Sequence, residues 1–267
     1  MRIAVIGLGL IGGSLLRALG AAGHDVTGYD SDPHTRQLAR AAEITHATIA
    51  DTVRDAAVGA DIVVLAVPLP AVSAVLTELG DHPGLITDVV SVKEPVAQLM
   101  TARRYVGGHP MAGTEHSGFA HADSTLFRNR PWALCLDADT NRDDWATVAR
   151  LLGELGARVI SITSHDHDAA VARVSHVPHL LASALAASAA APETLALAAG
   201  SYWDGTRVAA TAPALVAAMC SGNAPRVRET LDEVIADLLV ARAVLDNPRE
   251  LEEWLTRGYN ARRNWSP

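Results

Sequence analysis

This sequence is short of cysteine, of lysine and of long apolar runs. Its 267 residues include only Cys135 and Cys220, too few for a disulfide framework and suited to a reducing cytosol. Lys93 is the one lysine among 22 basic side chains, which face 30 acidic ones. The resulting net charge of −8 argues against a nucleic-acid or anionic-membrane surface, so an anionic substrate would need locally placed cations. No apolar run reaches bilayer-spanning length, because the alanine-rich stretch is interrupted by Ser183, Ser188 and Pro192. A strand pattern starts at Arg2 and leaves no room for a signal peptide, so a soluble, cytoplasmic chain is expected. With 49% hydrophobic and 19% charged residues, the composition is globular, in one large or two smaller domains.

What is present begins with a nucleotide motif. The apolar run Arg2 to Ile6 leads into GLGLIGGS and then a helical pattern through Ala22. Gly7, Gly9 and Gly12 fill the three places of G-x-G-x-x-G. The first allows a tight turn, the second close approach of backbone to a pyrophosphate, and the third close packing of helix on strand. The pyrophosphate would lie on the helix start at Leu10 and Ile11, where free N–H groups favour an anion. The next strand, Asp25 to Tyr29, ends at Asp30, 18 residues beyond Gly12 and well placed for a ribose. A carboxylate there repels a 2′-phosphate and favours NAD over NADP. Arg36 could counter that repulsion, but a solvated residue on a helix from His34 to Ala42 is preferred.

The alternation continues with a strand from Ala60 to Val67, ended by Pro68, and a helix from Leu69 to Leu79. Leu85 to Val89 is the next strand, followed by Val90-Ser91-Val92-Lys93 and a helix with Pro95 in its first turn. This is the pattern of a mostly parallel, doubly wound α/β sheet. Trp132 to Leu136 and Ala157 to Ile162 are expected to extend it, around a helix from Asp143 to Leu155. Ligands bind at the carboxyl ends of such strands, where Gly9, Val67, Pro68 and Ser91 fall. The run Arg104 to Val106 delivers VGGHPMAGTEHSG to the same edge. Gly107 and Gly108 let backbone approach a ligand there, and Pro110 turns the chain after His109 into an ordered loop. Thr114, Glu115, His116 and Ser117 crowd polar groups beyond it. Lys93 reads as support for this site, near the cofactor or Asp88, rather than as chemistry.

After about Ser164 the alternation gives way to helical patterns at Asp166 to Ala190, Ala214 to Cys220, Ala224 to Leu245 and Arg249 to Arg263. These divide the chain into 1–164 and an all-helical 165–267. His165-Asp166-His167-Asp168 resembles a metal cluster, but neighbours on a helix do not face one another, so a capped helix start is expected and no metal. In Ser175-His176-Val177-Pro178-His179 the proline should kink a long helix, with His176 and His179 lining an interdomain cleft. Ser201 to Arg207 reads as a polar island between helices. Arg207, oriented by Asp204, would either fork onto a carboxylate or form an interdomain ion pair.

GLGLIGGS, Asp88 to Lys93, GGHPMAGTEHSG, SHVPH and Asp204 to Arg207, in this order over nearly the whole chain, resemble the prephenate/arogenate dehydrogenase family. The resemblance implies a Rossmann domain followed by a helical dimerisation domain in a homodimer. It implies that His109 is the catalytic base with Ser91 beside it, and that Arg207 grips the substrate carboxylate. His179 and Glu115 would be polar site residues, joined by Thr114 and Asp204. Trp203 stands where many relatives carry arginine. The implied reaction is NAD-dependent oxidative decarboxylation of prephenate to 4-hydroxyphenylpyruvate, in tyrosine biosynthesis, with hydride leaving ring C4. Arogenate or 4-amino-4-deoxyprephenate would be handled by the same mechanism. A hydroxyacid dehydrogenase resembles its own relatives in a lysine on the first helix of the second domain, which this chain does not have. An NAD-binding sensor or structural dimer without turnover is the reading from another class.

Overall fold

The computed structural model describes residues 1–113 and 116–265. In the first half β1 (Arg2–Ile6), α1 (Leu10–Ala21), β2 (Asp25–Tyr29), α2 (Pro33–Ala41), β3 (Ala47–Ile49), α3 (Val53–Ala57), β4 (Ile62–Leu65), α4 (Leu69–Leu79), β5 (Leu85–Asp88), α5 (Glu94–Leu99) and β6 (Tyr105–Val106) alternate. The six strands form one parallel sheet in the order β3-β2-β1-β4-β5-β6. That order reverses beside β1, which puts the switch point at the end of the glycine turn. Side chains of β1 alternate between the two faces. Ile3 and Val5 pack with Leu15, Leu16 and Leu19 of α1, whereas Ala4 and Ile6 pack with Val53, Val72 and Leu76. A sheet apolar on both faces needs helices on both, and the intervening helices supply them.

β7 (Gly108–Pro110), β8 (Pro131–Cys135), α6 (Arg142–Glu154) and β9 (Arg158–Ile162) follow. The expectation that β8 and β9 extend the main sheet is corrected. They form a second sheet, β7-β8-β9, with β7 and β8 antiparallel and β8 and β9 parallel. The chain changes sheets at Gly107, whose carbonyl accepts from the N–H of Cys135 at 2.8 Å. The next carbonyl, of Gly108, accepts from the Lys93 ammonium at 2.6 Å. Those groups are thereby diverted from a ladder with β5. His109 accordingly sits on a short strand opposite Ala133 rather than at the start of a loop.

The rest is helical: α7 (Ser164–Val171), a π turn (Ala172–His176), α8 (Val177–Ser188), α9 (Pro192–Leu195), α10 (Gly200–Thr206), a 3-10 turn (Arg207–Ala210), α11 (Pro213–Gly222), α12 (Ala224–Ala243) and α13 (Pro248–Arg263). Thr163 caps α7 by accepting the N–H of Asp166 at 3.1 Å. The expected kink at Pro178 takes the form of the π turn just before it, which absorbs the missing proline N–H by widening the helix. The expected polar island at Ser201 is instead helix α10, ending in the 3-10 turn that carries Arg207. Among the described residues no helix is long and apolar enough to cross a membrane.

Candidate active site

Parallel strands bring the predicted nucleotide residues to one edge. Gly7 has φ +98°, and a Cβ on it would lie 2.4 Å from the carbonyl of Ala66 and 2.9 Å from Val67. A Cβ on Gly12 would lie 1.8 Å from the carbonyl of Gly7, so the helix can pack this closely only without one. Among the described residues a Cβ on Gly9 would meet nothing within 4 Å, which leaves space where a ligand can approach backbone. Gly9 begins α1 with no side-chain cap among the described residues, so the first-turn N–H groups of Leu10 and Ile11 are available to an anion. Pro68 starts α4 at the end of β4 on the same edge. Asp30 is held in place because its carboxylate accepts from Leu8 N–H at 2.7 Å and Asp32 N–H at 2.9 Å. Arg36 is not simply solvated. Its guanidinium donates to the carbonyls of Asp30 (2.7 Å) and Ser31 (3.2 Å), and these backbone bonds tie it beneath the acid.

A buried ion pair supports the other end of the site. Lys93 and Asp88 are both fully buried and joined through Nζ and Oδ1. Asp88 also accepts from Val90 N–H (2.7 Å), Tyr105 hydroxyl (2.6 Å) and Gly108 N–H (3.4 Å). Burial and then the neighbouring Asp88 charge push the Tyr105 hydroxyl well above its usual range. The pair therefore locks β7 against β5 and sets the depth of His109. Part of His109 remains accessible, yet burial holds its pKa well below the ordinary value, helped by His167, Lys93 and His176. Nδ1 of His109 lies 2.9 Å from Nε2 of His167, and Nδ1 of His167 lies 2.7 Å from Asp168. Adjacent residues at this helix start do reach one another, contrary to the expectation for His165 to Asp168. Asp168 in turn accepts from the N–H groups of Lys93 (2.8 Å) and Glu94 (2.9 Å), fastening α7 to the start of α5.

The remaining candidates divide. Ser91, half-buried just past β5, makes no hydrogen bond to His109 among the described residues. His179 donates from Nδ1 to the carbonyl of Val208 at 3.1 Å. Arg207 and Asp204 are both exposed in the single chain, and no ion pair joins them among the described residues. His176 does not line a cleft. It is fully buried, its Nδ1 accepts from the Asn223 amide at 3.2 Å, and its buried Nε2 has no hydrogen-bond partner among the described residues. Burial, with His167 and His179 nearby, lowers its pKa to about 4 against the opposing pull of Asp168. Thr114 and Glu115 lie outside the described residues. Sequence reasoning missed His167, Asp168 and Asn223, although the histidine–aspartate run at 165–168 was in view. Among the described residues no group of three or more His, Cys, Asp or Glu is placed to hold a metal.

A glycine turn, an uncapped helix start and a pinned acid, all at the switch point of a 3-2-1-4-5-6 sheet, define a Rossmann-type dinucleotide-binding protein with a helical carboxyl-terminal part. The comparisons narrow this class. Residues 13–161 match the nucleotide-binding domain of prephenate dehydrogenase, and residues 163–257 match the dimerization domain of prephenate dehydrogenase. The chain belongs to the prephenate dehydrogenase family. It is 35% identical over 260 residues to a cyclohexadienyl dehydrogenase of Zymomonas mobilis, covering 91% of this chain and 88% of that one. It superposes on A. aeolicus prephenate dehydrogenase in complex with hydroxyphenyl propionate and NAD+ with a TM-score of 0.91, at 25% identity, over 99% and 98% of the two chains. Against Synechocystis arogenate dehydrogenase the TM-score is 0.83 at 29% identity, over the full length of both chains.

Proposed function

We propose that this protein carries out the NAD-dependent oxidative decarboxylation of prephenate to 4-hydroxyphenylpyruvate, with His109 as the general base. The observation that carries the reading is His109 itself. It is a histidine kept neutral by burial, at the sheet edge shared with the glycine turn. Bound NAD supplies the hydride acceptor, and its pyrophosphate and ribose suit the open face of Gly9, the uncapped start of α1 and the carboxylate of Asp30. As hydride leaves ring C4, His109 takes the proton of the 4-hydroxyl. Ser91 stands beside this reaction, and Arg207 holds a substrate carboxylate with Asp204 and His179 around it. Thr114 and Glu115 are assigned to the substrate on sequence alone. Residues 1–164 hold the nucleotide, while 165–267 supply substrate contacts and join two chains.

Arogenate is the second reading, favoured by the full-length likeness to the Synechocystis enzyme of that name. It differs from prephenate in carrying an amine where prephenate has a ketone, whereas 4-amino-4-deoxyprephenate replaces the ring hydroxyl with an amine. NADH formation with each of the three substrates, and with NAD or NADP, separates these readings. Prephenate turnover with NAD supports the proposal, turnover of only an amino substrate reassigns the substrate, and silence on all three with NAD bound removes the catalytic role. The variant His109→Asn should lower kcat by about 10²–10⁴, the usual worth of a positioned base, with NAD affinity nearly unchanged. Full turnover in that variant would exclude His109 as the base.

A further inference from the structure

His109 is held from one side of its ring. Its Nδ1 lies 2.9 Å from Nε2 of His167, and its Nε2 meets no protein partner among the described residues. The two rings meet edge to face, with centroids 5.1 Å apart and planes at 69°. His167 and Asp168 are 2% and 1% exposed, so water does not substitute for either partner.

The acid end determines which atom donates. Burial opposes the charge on Asp168, but hydrogen bonds from His167 and from the N–H groups of Glu94 and Lys93 outweigh it and hold the carboxyl below its usual range. An ionised carboxylate only accepts, so the hydrogen between these two residues is on Nδ1 of His167. A His167 that carries only this hydrogen has its lone pair at Nε2 and accepts the Nδ1–H of His109. His109 is left with its own lone pair on Nε2, the nitrogen with no partner among the described residues. An isolated imidazole has no such constraint and can place its hydrogen on either nitrogen.

The geometry points to His167 and Asp168 as a positioning pair that fixes the Nε2-basic tautomer of His109 and takes up the positive charge as the substrate proton arrives. This rests on His109 being the base. The O–H bond of the substrate breaks and Nε2–H forms on His109, while hydride takes its electron pair from C4 to the nicotinamide. The Nδ1–H of His109 passes to Nε2 of His167, so the positive charge comes to rest against the Asp168 carboxylate. When the ring loses CO₂, the electron pair of the broken C–C bond aromatises the ring and leaves a phenolate. The phenolate takes back the proton from Nε2 of His109, and His167 returns its own to Nδ1. A substrate dianion and NAD+ become a product monoanion, CO₂ and NADH, with no net proton released. The buried pair therefore needs no exchange of protons with water.

The test is nitrogen-15 NMR of the full chain labelled at histidine, because ring shifts report which nitrogen carries hydrogen. The wild type should show His109 protonated at Nδ1, its signals assigned by their loss in His109→Asn. The variant His167→Phe keeps a ring but removes both nitrogens. It should move His109 toward the Nε2–H tautomer and lower kcat by on the order of 10², the upper end of the cost of losing a group that orients a metal-bound histidine. Substrate KM and NAD affinity should stay within about two-fold, since neither ligand touches His167 in this reading. His167→Gln offers an amide oxygen to the Nδ1–H of His109 and should restore that tautomer together with part of kcat. Wild-type His109 carrying hydrogen on Nε2, or a folded His167→Phe turning over normally, would overturn the proposal. Normal turnover by His109→Asn removes the base and the pair together. Normal turnover by His167→Phe beside an inactive His109→Asn removes the pair alone.

Discussion

A histidine accepts a proton near neutrality only while it is neutral itself, and burial keeps His109 so. Its folded pKa lies well below the ordinary value of about 6.5, so kcat should hold steady as pH falls through that value. The acid limb of the kcat profile should appear only further down, and a limb at about 6.5 or above would contradict the burial argument. His176 obeys the same sign with a consequence for stability. Its pKa is lowered to about 4, so above the unfolded value of about 6.5 it is neutral in both states and contributes no pH dependence. As pH falls from there toward about 4 the unfolded chain takes up the proton first, which destabilises the fold by up to about 3 kcal/mol. Denaturant titrations should show this loss in wild type and a shallower one in His176→Asn, whose amide cannot take up a proton. At Arg207, truncation to alanine should raise substrate KM by about the worth of a charge-assisted hydrogen bond, 1.5–3 kcal/mol, with kcat less affected. An unchanged KM would mean that the exposed guanidinium does not meet substrate.

Among the elements, the turn between β1 and α1 separates two uses of glycine. Gly12→Ala would force a Cβ to within 1.8 Å of the Gly7 carbonyl, backbone against backbone. Shifting helix and strand apart should cost about 1–3 kcal/mol, read as a lower Tm. Gly9→Ala adds a methyl to open space, so Tm should hold while NAD affinity falls. If the Gly9 variant bound NAD like wild type, the nucleotide would not approach there. The π turn before Pro178 is the other functional element. It ends at His176, which faces Asn223, and leads into α8, from which His179 reaches Val208. Two histidines three apart in sequence thus serve two different neighbourhoods.

Over the whole molecule, apolar burial is uneven. The sheet carries two extensive buried clusters, whereas the buried cluster in the helical part contains Ala172, Val177 and Val227. On α12 and α13, Ile235, Leu238, Leu239, Val240 and Leu255 stay exposed in the single chain. Large apolar faces of this kind mark association surfaces, in keeping with the match to a dimerization domain. Sedimentation should find a dimer, and Leu238→Glu combined with Leu239→Glu should weaken it by burying charge. A wild-type monomer at micromolar concentration would exclude the homodimer.

The sequence by itself determined what depends on neighbours along the chain. Strand, glycine turn, helix and Asp30 follow from apolar runs, from the one glycine that needs positive φ in this turn, and from a fixed spacing. The helical second half follows from its periodicity, and the placement of His109 at the carboxyl edge follows from the alternation. Tertiary structure decided what depends on partners far apart in the chain. His109 meets His167 across 58 residues, and Lys93 meets Asp168 across 75. β8 and β9 joined a second sheet because Gly107 and Gly108 gave their carbonyls to Cys135 and Lys93. His176 turned inward because Asn223, on the connection between α11 and α12, came to meet it. Periodicity and dihedral preference are local, so they can be read from the chain. A hydrogen bond between distant residues exists only after docking has brought its two atoms within about 3 Å.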